Sequence, residues 1–403
     1  MLDLNPFLEI QARLLRAVPS WMQRFLHQHI DWTQPLIVLS GARGTGKTTL
    51  LLQHIRSLEP APGEVLYLSA DHIRVEAVGL YPIGEQFFKS GGRLLVLDEV
   101  HKSPGWARAV KSLADSFPQA RLVVSGSSTL ELQAAKADLS RRAVFHHLPA
   151  MSLREFMALV ANRHHPTLDL EHLLDEHADC AARILEAGPV LGLMAEYLQH
   201  GAYPFGIEQE TTYLHRLRNV IEQVLYQDIP PVTGMRPAGV PALKKILWQL
   251  ATSPPHQINL DRLASDLGIA RQTLYSYLDH LERSGLIRRV LPAGSGTTVT
   301  RRRPKLLLEN PNLLLAVAAR LDPQDATGAV RESFFASQLA GAGHGLRAPR
   351  RGDFQVGERV FEVGGRRKTR KQVASAAQAW VVADDLEIGH GHTVPLWLFG
   401  FLY

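Results

Sequence analysis

Residues 36–55 read LIVLSGARGTGKTTLLLQHI, an apolar run, then a loop bearing three glycines and a lysine, then a segment with helical spacing. The loop from Gly41 to Thr48 matches G-x-x-x-x-G-K-[ST] in full, and it lies between a strand-like and a helix-like segment, the setting that this motif needs. The spacing has a physical reason. A triphosphate presents many acceptor oxygens in a small volume, and a tight glycine-bearing loop aims successive backbone N–H groups at them. Gly41, Gly44 and Gly46 can take backbone angles closed to other residues. Lys47 carries positive charge toward the β- and γ-phosphates, the Thr48 hydroxyl can reach a Mg2+ ion, and the helix N-terminus adds its dipole. The loop therefore predicts a nucleotide cradle made by Gly41, Ala42, Arg43, Gly44, Thr45, Gly46, Lys47, Thr48 and Thr49. A glycine-rich turn matching by chance would lack the flanking strand and helix.

Such a loop needs a sheet behind it, and residues 1–150 supply the runs for one. They are Leu36–Ser40, Val65–Ser69, Leu94–Asp98, Leu122–Ser125 and Val144–Leu148. Four of the five are nearly continuous β-favouring apolar residues, as expected of strands covered on both faces. Their connections are long enough for helical crossovers between parallel strands. The third run, LLVLDE, ends in two carboxylates. Asp98 is assigned to the Mg2+ shell and Glu99 to polarising the attacking water, against the plainer reading that the pair caps the next helix. The fourth run leads into LVVSGSS, where Ser125 or Ser127 offers a hydroxyl to the γ-phosphate or the water, or is simply part of a Ser/Gly turn. Ser125 is the residue assigned. Arg141 and Arg142 precede the fifth run, and Arg141 is the candidate for stabilising charge on the transferred phosphoryl group, in cis or from a neighbouring subunit of a homo-oligomer.

Taken together, VLSGARGTGKTTLL, VLYLSADH, LLVLDEVHKSPGW, VVSGSS and LPAMSLREF resemble a large prokaryotic group of AAA-type ATPases, and the likeness spans essentially the whole chain. The motifs fall in the AAA order: phosphate loop after strand one, acidic pair after strand three, polar sensor after strand four. The resemblance implies ATP and Mg2+ as cofactors and hydrolysis in principle. It also implies a helical lid, a winged helix and a C-terminal domain similar to the PD-(D/E)XK nucleases. The expected architecture is thus an α/β chain with an AAA-type P-loop parallel sheet at 1–150, a helical lid at 151–235, a winged helix-turn-helix at 236–300 and a small α+β nuclease-like domain at 301–403.

The residues beyond the sheet fit that order. LREFMALV, CAARILEAG, VLGLMAEYLQ and YLHRLRNVIEQVLYQDI repeat apolar positions at spacings of three and four, and a Pro/Gly cluster at 230–239 then breaks the pattern. Leu260–Leu281 reads as a helix-turn-helix. Ala264 is small where two helices cross, and Gly268 makes the turn. Ile269, Leu274, Leu278 and Leu281 face inward, while Arg271, Gln272, Thr273, Tyr275 and Ser276 face outward, where a major-groove reader places its contacts. The basic run Arg301, Arg302, Arg303, Lys305 follows, with strand candidates at Asp353–Val356, Val360–Val363, Ala379–Val382 and Val394–Phe399.

In the nuclease-like reading, which comes from the resemblance, Glu332, Asp353 and Glu362 stand where acids would hold a metal. Gly364 stands where the pattern has a lysine. Lys368 or Lys371 would have to reach back, so a vestigial site of Glu332, Asp353, Glu362 and Lys368 without cleavage is expected. From Arg347 to Lys371 nine Lys and Arg face three Asp and Glu, a surplus greater than the +5 of the whole chain. That stretch favours a phosphate backbone, so DNA is a candidate partner, with a solvated basic face as the alternative.

The single cysteine, Cys180, excludes an internal disulfide and a cysteine-rich zinc site. The His146-His147, His164-His165 and His390/His392 groups lack carboxylate or thiol company at ligand spacing. The first residues lack the layout of a signal peptide, and no apolar run reaches membrane-spanning length, so a cytoplasmic protein without a membrane span is expected.

Overall fold

The computed structural model describes residues 2–127, 132, 139, 141–208, 210–253, 259–294, 302–318, 326–368 and 378–403. They form two compact units, Met1–Pro149 and Ala150–Tyr403. Among the described residues no helix is long and apolar enough to cross a membrane.

The first unit is an α/β sheet. Its strands are β1 (Leu36–Ser40), β2 (Val65–Ser69), β3 (Leu94–Asp98), β4 (Arg121–Gly126) and β5 (Val144–His147), in the order β2-β3-β4-β1-β5 with every pair parallel. Each coincides with an apolar run of the sequence to within a residue or two. The helices are α1 (Asn5–Ala17), α2 (Lys47–Ser57), α3 (Ile73–Val78), α4 (Leu80–Lys89) and α5 (Trp106–Ser116). Side chains alternate across the pleat, so each strand feeds two cores. Leu36, Val38, Leu66, Leu95, Leu97 and Val124 pack with Ile83, Phe87, Val110 and Leu113 of α4 and α5. Ile37, Leu39, Leu94, Val96 and Val123 pack with Leu50, Leu51 and Ile55 of α2. Because β4 lies between β1 and β3, its C-terminal end stands between the phosphate loop and the acidic strand end.

The second unit begins with α6 (Leu153–Ala161), α7 (Leu170–Asp175), α8 (His177–Leu185), α9 (Leu191–His200) and α10 (Tyr213–Gln223). Ser152 and Glu155 form a capping box that starts α6. Then come α11 (Val240–Thr252), α12 (Leu260–Asp266) and α13 (Arg271–Arg283). The Asn259 side chain caps α12, and Gly268, at φ +64°, turns the chain into α13. Ala264, Leu274, Leu278 and Leu281 are buried. An antiparallel pair, β6 (Ile287–Val290) and β7 (Lys305–Leu308), follows α13.

After α14 (Pro311–Ala318) and α15 (Thr327–Gly341), a four-stranded sheet closes the chain. Its strands β8 (Phe354–Val356), β9 (Arg359–Gly364), β10 (Ala379–Ala383) and β11 (Thr393–Pro395) run in the order β11-β10-β9-β8. The β8–β9 pair is antiparallel and the others are parallel. Phe335 of α15 centres this core, with ring centroids 5.3 Å from Phe354, 5.2 Å from Phe361 and 4.7 Å from Phe399. The final apolar run departs from the expected strand: β11 stops at Pro395 and Leu396–Phe401 wind into a 3-10 helix, all six buried. Proline has no N–H with which to extend the ladder, and the compact turn lets every side chain of the run find core.

Asn312, fully buried at the start of α14, ties the helices together. Its Oδ1 accepts from the Ala202 N–H (2.7 Å) and the Tyr213 hydroxyl (2.6 Å), and its Nδ2 donates to the carbonyls of Tyr197 (3.1 Å) and Leu198 (2.7 Å). All of its hydrogen-bonding capacity is used, which is the condition under which a buried amide stabilises a core.

Candidate functional site

The phosphate loop sits where β1 gives way to α2. Gly44 and Gly46 have φ of +87° and +93°, a region in which side chains are strained. Gly41 is required for a different reason: a Cβ there would lie 2.6 Å from the Leu148 carbonyl oxygen. Lys47 is buried, and its ammonium donates to the carbonyls of Gly41 (2.9 Å) and Ala42 (3.1 Å), which holds it across the loop. Arg24, also buried, donates to the carbonyls of Thr45 and Pro149, so the loop is braced from outside the motif.

Asp98 ends β3, is 1% exposed, and accepts four hydrogen bonds. Thr48 Oγ1 (2.6 Å) and the Tyr67 hydroxyl (2.8 Å) donate to Oδ2, while Ser125 Oγ and the Glu99 N–H (3.0 Å) donate to Oδ1. Every one of these donors is neutral, so none of them cancels the charge of the carboxylate. A carboxylate beside a threonine hydroxyl is a set of hard oxygen donors, which suits Mg2+. Asp98 and Thr48 are the residues that would hold such an ion, and its charge would offset that of bound phosphate.

Glu99 follows in the left-handed region, φ +51° and ψ +36°. For a residue with a Cβ this backbone is uncommon. Ser127 Oγ donates to Glu99 Oε2 (3.1 Å) and lies 3.2 Å from His101 Nε2, and His101 Nδ1 is 3.4 Å from the same Glu99 oxygen. Burial pushes the Glu99 carboxyl above the usual glutamate range; Lys47 and Arg43 pull it down, and Asp98 pushes it further up. A carboxylate raised in this way is a better proton acceptor near neutral pH.

The two serines weighed in the sequence thus divide the work. Ser125 reaches Asp98, and Ser127 reaches Glu99. Arg141 is exposed in the turn leading into β5, and Arg142 pairs with Asp115 (2.9 Å). Tyr67, His101 and Arg24 were not singled out by sequence reasoning. Tyr67 is the one aromatic hydroxyl inside its apolar run, and His101 comes two residues after the acidic pair's last member; those were the available signals.

In the second unit Glu332, Asp353, Glu362 and Lys368 come together, joined by Lys305 of β7. The Lys305 ammonium lies 2.8 Å from Glu332 Oε2, 3.5 Å from Asp353 Oδ1 and 4.2 Å from the Phe354 ring centroid. Asp353 Oδ2 accepts from the Val363 N–H (2.8 Å). Lys368 lies 2.7 Å from Glu362 Oε1, and its stem crosses Gly364 so closely that a Cβ there would be 2.7 Å from Lys368 Cδ. Burial raises the Glu332 and Glu362 carboxyls, with the lysines opposing. Lys371 lies outside the described residues. Among the described residues no three His, Cys, Asp or Glu are gathered closely enough to hold a metal ion.

A family model described as an AAA domain matches residues 33–157, and one described as a domain of unknown function (DUF8612) matches residues 192–325. The uncharacterized protein MJ1637 of Methanocaldococcus jannaschii is 29% identical over 289 residues, which make up 67% of this chain and 60% of that protein. The match therefore spans about three-fifths of that relative's length. Among solved structures, the ORC1 protein of Aeropyrum pernix in complex with DNA aligns with a TM-score of 0.32 and 15% identity, covering 84% of this chain and 94% of that one. AMPPCP-bound DnaA from Aquifex aeolicus aligns at 0.27 and 14%, covering 70% and 89%. The family match and the geometry at the ends of β1, β3 and β4 agree: residues 33–157 match an AAA domain and carry a parallel α/β sheet with a phosphate-loop motif.

Proposed function

We propose that this chain binds ATP with Mg2+ at the Gly41–Thr49 loop, hydrolyses it, and uses nucleotide state to drive movement of the Ala150–Tyr403 unit. The observation that carries the reading is the Asp98 constellation: a charged carboxylate bonded to Thr48 of the loop, with Glu99 beside it, desolvated and hydrogen-bonded by Ser127. Lys47 and the loop amides bind the phosphates. Thr48 and Asp98 hold the Mg2+, which when bound neutralises charge developing on the transferred phosphoryl group. Glu99 accepts the proton of the attacking water, and Ser127 fixes the orientation of its carboxylate. Ser125 acts through Asp98, and Arg141 is the candidate arginine for the phosphoryl group, in cis or from a second copy in a homo-oligomer. Phosphate release by the purified full chain tests this. Glu99→Gln should lower the rate by a factor of about 100 or more while nucleotide still binds, and Lys47→Ala should lose affinity. Full turnover by Glu99→Gln overturns the assignment.

A second reading is favoured by α12, α13 and the β6–β7 pair, which present Arg271, Gln272 and Ser276 outward from one helix. In it the chain is a DNA-binding module, with the nucleotide setting conformation only. The 347–371 stretch supplies further cationic charge. Binding to duplex DNA would then weaken steeply with salt. An affinity indifferent to salt speaks against it. Metal-dependent cleavage by the nuclease-like sheet is the weakest of the three readings, because two lysines are engaged with the acids it would need. Plasmid incubated with Mg2+ or Mn2+, with and without ATP, tests that point directly.

A further inference from the structure

Arg24 lies outside the phosphate-loop motif, yet it is 2% exposed and its guanidinium reaches two places far apart in the sequence. One nitrogen donates to the carbonyl of Thr45 in the loop, and another donates to the carbonyl of Pro149 (2.9 Å), the last residue of the first unit. The fork is planar and rigid, so a shift of one carbonyl is felt at the other. The arm that carries Arg24 is itself tied to the helix that follows the loop. Gln53 of α2 donates to the carbonyls of Pro19 (2.8 Å) and Met22, and Arg56 donates to those of Val18 (2.7 Å) and Pro19 (3.3 Å). Residues 18–24, the loop and α2 are thus fastened together, and Arg24 is where they hold the chain that leaves β5. A second contact lies beside the first. Gly41 packs so closely on Leu148 that a Cβ would meet the Leu148 carbonyl oxygen at 2.6 Å. Phosphate that drew the Lys47 ammonium away from the carbonyls of Gly41 and Ala42 would release the part of the loop that touches Leu148.

The chain has no slack beyond this point. Pro149 is bonded within the first unit by Arg24. In the second unit the Ala150 carbonyl accepts from the Tyr403 hydroxyl (2.9 Å), the Met151 N–H donates to the Ala202 carbonyl (2.8 Å), and the Met151 carbonyl accepts from the Tyr197 hydroxyl (2.6 Å). Ser152 then caps α6. Residues 149 and 150 are therefore each anchored in their own unit, and a displacement of one is delivered to the next through a single stretch of backbone. We propose that Arg24 is the positioning residue that passes nucleotide state from the phosphate loop to the second unit: its fork holds Thr45 of the loop and Pro149 at the joint in one register, so the joint moves when the loop does. The inference rests on the reading that the loop binds nucleotide and that the second unit responds to it.

The test is hydrogen–deuterium exchange of the full chain, with and without Mg2+ and a non-hydrolysable ATP analogue, followed in two peptides. One covers the loop, residues 41–49, and the other covers the start of the second unit, residues 150–161. In wild type the analogue should slow exchange in the first and change it in the second. Arg24→Lys keeps a cation but loses the fork. Its loop peptide should still be protected, while the response at 150–161 should fall by about half or more, since an ammonium on a flexible stem cannot hold both carbonyls in one plane. Two glycines inserted between Pro149 and Ala150 add slack without removing a side chain, and should also leave the loop protected and weaken the response. An undiminished response in Arg24→Lys overturns the proposal. If Arg24→Lys does not fold, the insertion decides: a response that survives the added slack means that coupling does not run through the joint that Arg24 holds. A wild type whose loop is protected while 150–161 stays unchanged overturns the proposal too. A wild type with no protection in the loop overturns the nucleotide reading itself, and this inference with it.

Discussion

Replacing Asp98 by asparagine separates its role in holding the fold from its proposed role in holding a metal. The Glu99 N–H is fixed in the backbone and donates to Oδ1, so the amide introduced by Asp98→Asn must keep its oxygen there, facing Glu99 and Ser125. The NH2 then faces Thr48 and Tyr67, whose hydroxyls can rotate to accept. Four charge-assisted bonds become neutral ones at a loss of about 1 kcal/mol each, roughly 4 kcal/mol in all. Against this, the penalty for burying a carboxylate, several kcal/mol, disappears. The two effects nearly cancel, and Asp98→Asn should melt within about 5 °C of wild type. Metal binding has no such compensation. At an effective dielectric near 20, a unit charge close to a cation is worth a few kcal/mol, so Mg2+-dependent nucleotide affinity should fall about 30-fold or more. Calorimetric titration with a non-hydrolysable ATP analogue, with Mg2+ and with a chelator, reads this. Wild type should bind more tightly with Mg2+, and the variant should bind equally in both. A variant whose Mg2+ dependence matches wild type would refute the reasoning, and Asp98 would then be a structural carboxylate.

Two more outcomes follow. Burial raises the Glu99 carboxyl, so its ionised form is lost as pH falls through that raised value; the acid limb of the turnover–pH profile should lie above the range of an ordinary glutamate, and a rate that stays level down into that range contradicts the role of Glu99. Asn312→Ala strands the Ala202 N–H and takes a partner from the Tyr213 hydroxyl and the Leu198 carbonyl, while the Tyr197 carbonyl keeps the Gly201 N–H, and it should lower stability by about 2 kcal/mol in urea unfolding; a loss under about 0.5 kcal/mol would show that water replaces the amide.

What the sequence disclosed, and what it hid, follows from the range of the interactions. Strands β1 to β4 were legible because a parallel strand covered on both faces is a continuous apolar run, and the loop was legible because its chemistry is local. The choice between Ser125 and Ser127 was not legible, because it depends on β4 lying between β1 and β3, and strand order is set by packing between distant segments. Tyr67 was hidden in an apolar run: its ring fills the core as its neighbours do, and only the pairing of β2 with β3 brings its hydroxyl to Asp98. Lys305 was misleading in the opposite sense. It stands in the sequence only as the end of the basic run Arg301, Arg302, Arg303, with no local sign of burial, but the fold buries it against Glu332. The last apolar run reads as a strand over Val394–Phe399, but only Thr393–Pro395 keep the ladder, and Leu396–Phe401 wind into a 3-10 helix because Pro395 has no N–H to extend it.

The two acid clusters differ in one physical respect that decides what each can do. Asp98 is surrounded by hydroxyls and an amide, donors that orient a carboxylate and leave its charge for something else to use. Glu332 and Glu362 are surrounded by ammonium groups, which orient a carboxylate by consuming its charge. Neutral donors around a buried acid are costly to maintain unless a cation arrives to share the site; ammonium partners remove that cost and the need for the cation together. By this criterion the carboxylate at the end of β3 keeps its charge available, as the proposed Mg2+ role needs, whereas the acids of the closing sheet share theirs with ammonium groups. An ammonium set among the hydroxyls of the first cluster should therefore remove the Mg2+ dependence of nucleotide affinity, because it would take the charge that Asp98 now keeps.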